Sequence, residues 1–291
     1  MASPRAEIPA PVLPPADAVR TTVAAALAED LGPGDVTADL LEDVPARATV
    51  VCRDDAVIAG RPWFDACFLA LDPAARIDWH VAEGQRVAPG TRLCTIAART
   101  RALVSAERTA LNFLQTLSAT ATATADAVAR VAGTGTRILD TRKTVPGLRI
   151  AQKYAVRCGG GMNHRMGLHD AVMLKENHIA AAGSITAAVA AARARHPALP
   201  LVVEVETLAE LDEALSAGCE RILVDDFDEA MLREAVRLAG GRIPLEVSGG
   251  VSPERLPAIA ATGVDYVSIG GLTKHVHAVD LSMRMEGPAG P

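Results

Sequence analysis

No stretch of this 291-residue chain reaches about 18 uninterrupted apolar residues, and its first 18 residues lack the basic flank and apolar core of a secretory signal. A membrane span is therefore not expected, and a cytoplasmic protein is. The cysteines, Cys52, Cys67, Cys94, Cys158 and Cys219, are odd in number, far apart and without a CxxC pair. Neither a disulfide framework nor a zinc ribbon fits that pattern. Positive charge is also scarce overall: 29 Lys and Arg against 35 Asp and Glu leave a net −6, which speaks against nucleic-acid and membrane-surface partners. The cations present are concentrated. Between Arg137 and His178, five Arg and three Lys face two Asp and one Glu, a local net of +5, so the other 249 residues carry −11. Three of the seven histidines lie in the same segment, which marks it as a place for an anion.

Composition is otherwise globular, 49% hydrophobic and 22% charged, with length for two domains or one large one. Five prolines within residues 1 to 15 predict a disordered tail, after which Asp17 is expected to cap a helix that stops at Gly32-Pro33-Gly34. Short β-prone runs at 48–52, 56–59, 77–81 and 92–97, separated by turn residues, predict a small α+β domain. The stretch 81–96 resembles a biotinyl-carrier half, but no lysine stands in a turn there to carry the cofactor. From 101 to 132 there is no Gly or Pro, and apolar residues recur at helical spacing, so a long linking helix is expected.

Beyond it, apolar runs at 137–141, 171–175, 201–206, 221–225, 244–248 and 264–270 alternate with helical segments at 184–195, 208–217, 228–239 and 253–262. Repeated strand-then-helix units with apolar strands predict a parallel sheet covered on its outer face. Lys175, Glu204, Asp225, Ser248 and Gly270 are spaced by 29, 21, 23 and 22 residues, close to one βα unit each. A (β/α) barrel follows, with six or seven strands rather than eight, and a doubly wound sheet is the alternative. Functional groups of such a barrel stand at the carboxyl ends of its strands. There the chain places Thr141-Arg142-Lys143, Lys175, Glu204 with Glu206, and Asp225 with Asp226. Ser248-Gly249-Gly250 and Gly270-Gly271 end the last two strands, the first leading into a helix opened by Ser252-Pro253, a pattern suited to a phosphate group. Gly159-Gly160-Gly161 precedes Asn163-His164-Arg165, which a mobile loop would bring beside Arg142 and Lys143. Several Arg forks imply more than one anionic group. Glu204 and Asp225 suit Mg²⁺, an ion content with few protein oxygens, or ribose hydroxyls. His275-x-His277 and the pair His164 and His169 lack the partners of a metal site. Schiff-base chemistry at Lys175 is the competing reading.

These residues resemble a known family, quinolinate phosphoribosyltransferase, also called nicotinate-nucleotide pyrophosphorylase (carboxylating). The matching stretches are EDLGPGDVT (29–37), SAERTALNFLQTLSATAT (105–122), ILDTRKTVPGLR (138–149), QKYAVRCGGGMNHRMGLHDAVMLKENHI (152–179), VEVET (203–207), ILVDDF (222–227), EVSGGV (246–251) and IGGLT (269–273). They run in order over nearly the whole chain after the tail. The resemblance implies an incomplete (β/α) barrel with an N-terminal open α/β sandwich domain: a tail over 1–16, the sandwich over 17–116 joined by 277–291, and the barrel over 117–276. It implies transfer of phosphoribosyl from phosphoribosyl pyrophosphate to quinolinate with decarboxylation, giving nicotinate mononucleotide, pyrophosphate and CO₂, with Mg²⁺, in a homodimer or dimer-based oligomer whose active sites are shared.

Carried onto matching positions, Arg142, His164, Arg165 and Lys175 would hold the two carboxylates, with Arg108 reaching in from the partner subunit. Thr141 and Lys143 belong to the same substrate set, Lys143 facing the diphosphate. Glu204 and Asp225 would engage the ribose and the metal, directly or through water or substrate, and Ser248, Gly249, Gly250, Gly270 and Gly271 would receive the 5′-phosphate. The catalytic candidates are Lys143, Lys175, Glu204 and Asp225. Four positions depart from the family: Asp226 where Asn is frequent, Gly271 where Ala is usual, and Lys274-His275 in place of His-Ser. The rivals are a ModD-like protein of the same fold, associated with molybdenum transport, and a barrel lyase using Lys175. Retention of Arg108, Arg142, His164, Arg165 and Lys175 argues against the first.

Overall fold

The computed structural model describes residues 11–286, so the expected tail over 1–10 and the last residues, 287–291, lie outside the described residues. Residues 11–15 carry no helix or strand, and α1 (Ala16–Leu31) begins behind Pro15. Asp17 therefore does not cap this helix. It lies in the first turn, where its charge meets the positive end of the helix dipole, while Pro15 occupies the cap position. Gly32, at φ 50°, ends the helix as its sequence suggests.

Two compact units divide the chain. The first takes residues up to Ala125, Thr144–Gly160 and the chain from Leu272. It contains β1 (Pro45–Cys52), β2 (Ala56–Val57), α2 (Arg61–Leu71), β3 (Arg76–Trp79), β4 (Arg86–Val87), β5 (Arg92–Arg99), most of α3 (Thr100–Arg130) and α4 (Arg149–Cys158). A C-terminal strand, Leu281–Met285, pairs antiparallel with β1, which pairs with β5, which pairs with β3. The core joins Trp63, Phe64 and Phe68 of α2 to Leu103, Leu111, Leu114 and Leu117 of α3, all buried. Each such leucine contributes about 1.5–3 kcal/mol through the water it sheds.

Beside this core, Asp65 accepts a hydrogen bond from Trp79 Nε1 at 2.9 Å, and the Arg61 guanidinium sits 4.8 Å from the Trp79 ring centroid. Burial outweighs both neighbours and pushes the Asp65 carboxyl up to about 6. A raised carboxyl binds its proton better folded than unfolded. Its contribution is thus full at acid pH and lost as pH climbs from the unfolded value of 3.8 to about 6, at most about 3 kcal/mol. Asp65→Asn, which still accepts from Trp79, is expected to melt higher than the parent protein at pH 7, with the gap closing by pH 4. Parallel melting curves across that range would contradict this.

The second unit comprises Asp126–Lys143 and Gly161–Gly271. Its elements are β6 (Arg137–Leu139), β7 (Val172–Leu174), α5 (Glu176–Ala182), α6 (Ile185–Arg195), β8 (Leu201–Val205), α7 (Leu208–Ala217), β9 (Arg221–Asp225), α8 (Glu229–Ala239), β10 (Leu245–Ser248), α9 (Leu256–Ala260) and β11 (Tyr266–Ser268). The six strands are all parallel, in the order β6-β11-β10-β9-β8-β7. The order never reverses, which a doubly wound sheet would require. It is a barrel wound in one direction, incomplete because β6 and β7 do not pair. The free edge of β6 is covered by Met162, whose N–H reaches Ile138 O at 2.8 Å and whose carbonyl accepts from Asp140 N at 3.1 Å. The helix expected over 253–262 is split into a 3₁₀ turn (Pro253–Arg255) and α9. Pro257 lacks the N–H that would bond Pro253, so the helical ladder cannot run through it. No helix among the described residues is long and apolar enough to cross a membrane.

Candidate functional site

Parallel strands in register point matching residues to the same side, and alternate residues along each strand face inward. Glu204, Leu223, Glu246 and Tyr266 are mutual partners across β8 to β11, and one step further Asp225 pairs with Ser248. A cavity of about 250 Å³ opens on this side, lined by Thr141, Arg142, Lys143, His164, Arg165, Lys175, Glu204 and Ser248, with Met173, Leu223, Glu246 and Ser268. α5, α7 and α8 start just beyond the ends of β7, β8 and β9, which fixes the side chains there. His178 Nδ1 accepts the Lys175 N–H at 3.1 Å as α5 begins, and a Thr207–Glu210 capping box opens α7 directly after Glu204 and Glu206. Asp228, three residues past Asp225, caps α8 by accepting the Met231 N–H at 2.9 Å.

The segment carrying His164 and Arg165, expected to be a mobile loop, is tied down at several points. Asp140, fully buried behind β6, accepts the His164 N–H at 2.8 Å and the Asn163 amide at 2.5 Å. Asp170 accepts the N–H groups of Met166 and Gly167 at 2.6 and 2.9 Å, and these bonds hold its carboxyl below the ordinary range although burial pushes the other way. On the His164 ring, Nδ1 accepts the Arg165 N–H at 2.7 Å, and the buried Nε2 stands 3.3 Å from Glu246 Oε2. Lys175 Nζ pairs with Glu204, which is nearly buried.

Two guanidiniums stand close together. Burial and the neighbouring charge of Arg142 both lower the pKa of Arg165, and Asp170 offsets only part of this. Like charges gathered on one wall oppose each other until a counter-charge arrives. A cavity that accepts that cost, with Lys143 and Lys175 on its wall, is built to take an anion.

Glycines shape the adjoining wall. Gly249 has φ +85°, and a Cβ there would stand 2.9 Å from Asp225 Oδ1 and closer still to Asp226 Oδ1. Asp226 is the one non-glycine described residue at positive φ, 54°, a conformation that Asn and Asp tolerate best. That accounts for the acceptance of Asp where Asn is frequent. Gly249→Ala is expected to cost about 1–3 kcal/mol in stability, read as a fall in melting temperature. An unchanged melt would contradict the close packing of this turn. A side chain at Gly270 would meet Lys143 Cδ at 2.7 Å, so this glycine sets how near Lys143 lies to the strand end. Ser248 and Gly249 also line a second, smaller cavity with Asp226, Phe227 and Arg255.

The cavity thus gathers Thr141, Arg142, Lys143, His164, Arg165, Lys175, Glu204 and Ser248. Asp225, Gly249, Gly250, Gly270 and Gly271 do not line it, although Asp225 and Gly249 adjoin each other and Gly270 adjoins Lys143. Arg108 is exposed on α3, in the first unit. Arg149, Lys153 and Arg157, counted with the cation-rich segment, lie on α4 in the first unit. Lys274 and His275 are both exposed. Asp140 and Glu246 went unnoticed in the sequence. For Glu246 the signal was present: a carboxylate between apolar residues, two positions before Ser248 and so on its face. No group of three His, Cys, Asp or Glu able to hold a metal occurs among the described residues.

Two family models match the chain: the N-terminal domain of quinolinate phosphoribosyl transferase over residues 35–118, and its C-terminal domain over 120–284. The nicotinate-nucleotide pyrophosphorylase [carboxylating] of Mycobacterium leprae is 44% identical over 280 residues, covering 92% of this chain and 97% of the relative. A probable enzyme of the same name from Bacillus subtilis is 40% identical, covering 88% and 89%. The solved structure of the nicotinate-nucleotide pyrophosphorylase from Francisella tularensis superposes with a TM-score of 0.91 at 41% identity, over 96% of this chain and 99% of that one.

Proposed function

The chain belongs to the quinolinate phosphoribosyltransferase family, and from that premise we propose that the strand-end cavity is where its two substrates meet. The reaction is that of the family: a pentosyltransferase of NAD biosynthesis moves phosphoribosyl from phosphoribosyl pyrophosphate to quinolinate and decarboxylates the adduct. The observation that carries the assignment of the cavity is the gathering of Arg142, Lys143, Arg165 and Lys175 on one wall, a concentration of positive charge that a doubly negative acid neutralises. Arg142, Arg165 and Lys175 take the two carboxylates of quinolinate, with His164 fixing the strand edge beside them, and Lys143 faces the diphosphate. Thr141 accepts the Lys143 N–H at 3.0 Å and so aims that residue. Ser248, Gly249, Gly250, Gly270 and Gly271 receive the 5′-phosphate, where exposed N–H groups meet an anion without a side chain in the way.

In the first step the bond from the anomeric carbon to diphosphate breaks, its electron pair leaving with pyrophosphate, while the pyridine nitrogen lone pair forms the new C–N bond. Orientation and counter-charge do most of this work. The ring nitrogen is then cationic and stabilises negative charge developing on the adjacent carbon. Cleavage of the carboxylate there releases CO₂ and leaves an electron pair on carbon, which takes up a proton. Lys175, already paired with Glu204, is placed to hold that carboxylate or to meet the developing charge. That pairing also disfavours Lys175 as the free amine a Schiff base requires.

Glu204 and Asp225 fit Mg²⁺ in kind: two carboxylates on neighbouring strands, without a closed set of protein ligands, suit an ion that completes its shell with water and phosphate. Glu204 and Asp225 would hold Mg²⁺ there directly or through water, and the ion would supply counter-charge for the diphosphate. Arg108 serves the cavity of a second copy of the chain, which makes the working form a homodimer or a dimer-based oligomer. Five free, buried cysteines, Cys94 and Cys158 among those whose thiols burial holds well above their ordinary range, agree with a reducing cytoplasm. The test is product stoichiometry: with quinolinate, phosphoribosyl pyrophosphate and Mg²⁺, the protein should release equal amounts of pyrophosphate, CO₂ and nicotinate mononucleotide. Pyrophosphate release without CO₂ would contradict the proposal.

A further inference from the structure

We infer that Glu246 is a positioning residue for the acid-binding end of the cavity, holding the His164 ring, which in turn holds the Arg165 backbone. This rests on the functional reading above. Glu246 lies in the middle of β10 between Leu245 and Val247, fully buried. An apolar side chain would pack there at no electrostatic cost, so a carboxylate at this depth needs partners. Arg221, at the start of β9, donates Nη1 to Glu246 Oε2 at 2.9 Å and stacks its guanidinium 4.4 Å from the ring centroid of Tyr266 on β11. The same Oε2 stands 3.3 Å from His164 Nε2. Burial alone would push the Glu246 carboxyl up, yet His164 and Arg221 together hold it below the ordinary range, so the group stays ionised.

The chain of contacts has a direction. Because His164 Nδ1 accepts the Arg165 N–H, the ring proton sits on Nε2, facing the carboxylate. Glu246 thereby selects the tautomer whose other nitrogen can hold the Arg165 amide. Asp140 fixes the preceding peptide through the His164 N–H. Arg165 leaves this anchored backbone with Nη1 on Ala171 O at 3.2 Å, and its charge is held close to that of Arg142. The other oxygen of Glu246, Oε1, has no hydrogen-bond partner, and the residue lines the cavity wall. A plain structural ion pair with Arg221 would not need the imidazole or a place on that wall.

Glu246→Gln keeps the shape and removes the charge. Steady-state kinetics in which each substrate is varied separately should show KM for quinolinate raised by about tenfold, with KM for phosphoribosyl pyrophosphate within about twofold of the parent value. In a double-mutant cycle, adding Glu246→Gln to His164→Asn should raise KM for quinolinate little further. If Glu246→Gln does not fold, Glu246→Asp carries the test, with the same one-sided change expected at smaller size. Equal changes in both KM values, or full additivity in the cycle, would overturn the inference. Failure of the parent protein to use quinolinate at all would instead overturn the functional reading.

Discussion

Arg165→Ala should lower kcat/KM for quinolinate by about 10²–10³-fold, roughly 3–4 kcal/mol, while leaving the melting temperature equal to the parent value or above it. The two halves of this expectation come from one fact. Arg165 is partly buried against Arg142, so in the free protein its charge is a liability, and removing it relieves that repulsion. When a dicarboxylate is bound, the same guanidinium becomes half of a desolvated ion pair, and truncating it leaves a carboxylate unpaired. A residue retained for stability would show the opposite pattern, a lower melting temperature with activity roughly in proportion. Thermal melts beside steady-state kinetics separate the two.

The second large effect is expected at Arg108. Exposed on α3, it makes no contribution to the core, so Arg108→Ala should fold and melt as the parent does while losing nearly all activity. If the residue serves a neighbouring copy, mixing Arg108→Ala with Arg165→Ala should restore activity, since each mixed dimer contains one site with both residues intact. Free exchange of subunits makes half the dimers mixed, so about a quarter of parental activity should return. No recovery after demonstrated subunit exchange would place Arg108 outside a shared site.

Much of this site was legible in the sequence because barrels put function at the carboxyl ends of strands, and those ends are marked by charge after apolar runs. Lys175 and Glu204 were found in that way, and both line the cavity. The glycines near the last strands were legible for a related reason: a Gly-Gly after a strand is needed only where something must come close, and Gly249 does admit Asp225 and Asp226. The helix α4 was harder. Its Arg149, Lys153 and Arg157 read as part of the anion-binding charge, but helical spacing carries them into the first unit, with Lys153 buried. Charge density along a chain does not record which way a helix faces. Asp140 and Glu246 were missed because their roles lie in contacts between distant segments, to His164 from one strand and from another. Local signals cannot show a buried carboxylate its partner. The open edge between β6 and β7 was likewise unspecified, since short strands announce themselves but not their neighbours.

The central claim is that clustered cations demand two carboxylates on the pyridine ring. Comparing quinolinate with nicotinate as acceptor, at fixed phosphoribosyl pyrophosphate and Mg²⁺, tests it most directly. The account predicts that kcat/KM for quinolinate exceeds that for nicotinate by at least about 10³, because the single carboxylate leaves part of the cavity's positive charge, the partly buried Arg165 included, without a counter-charge. Comparable turnover of the two acids would contradict it.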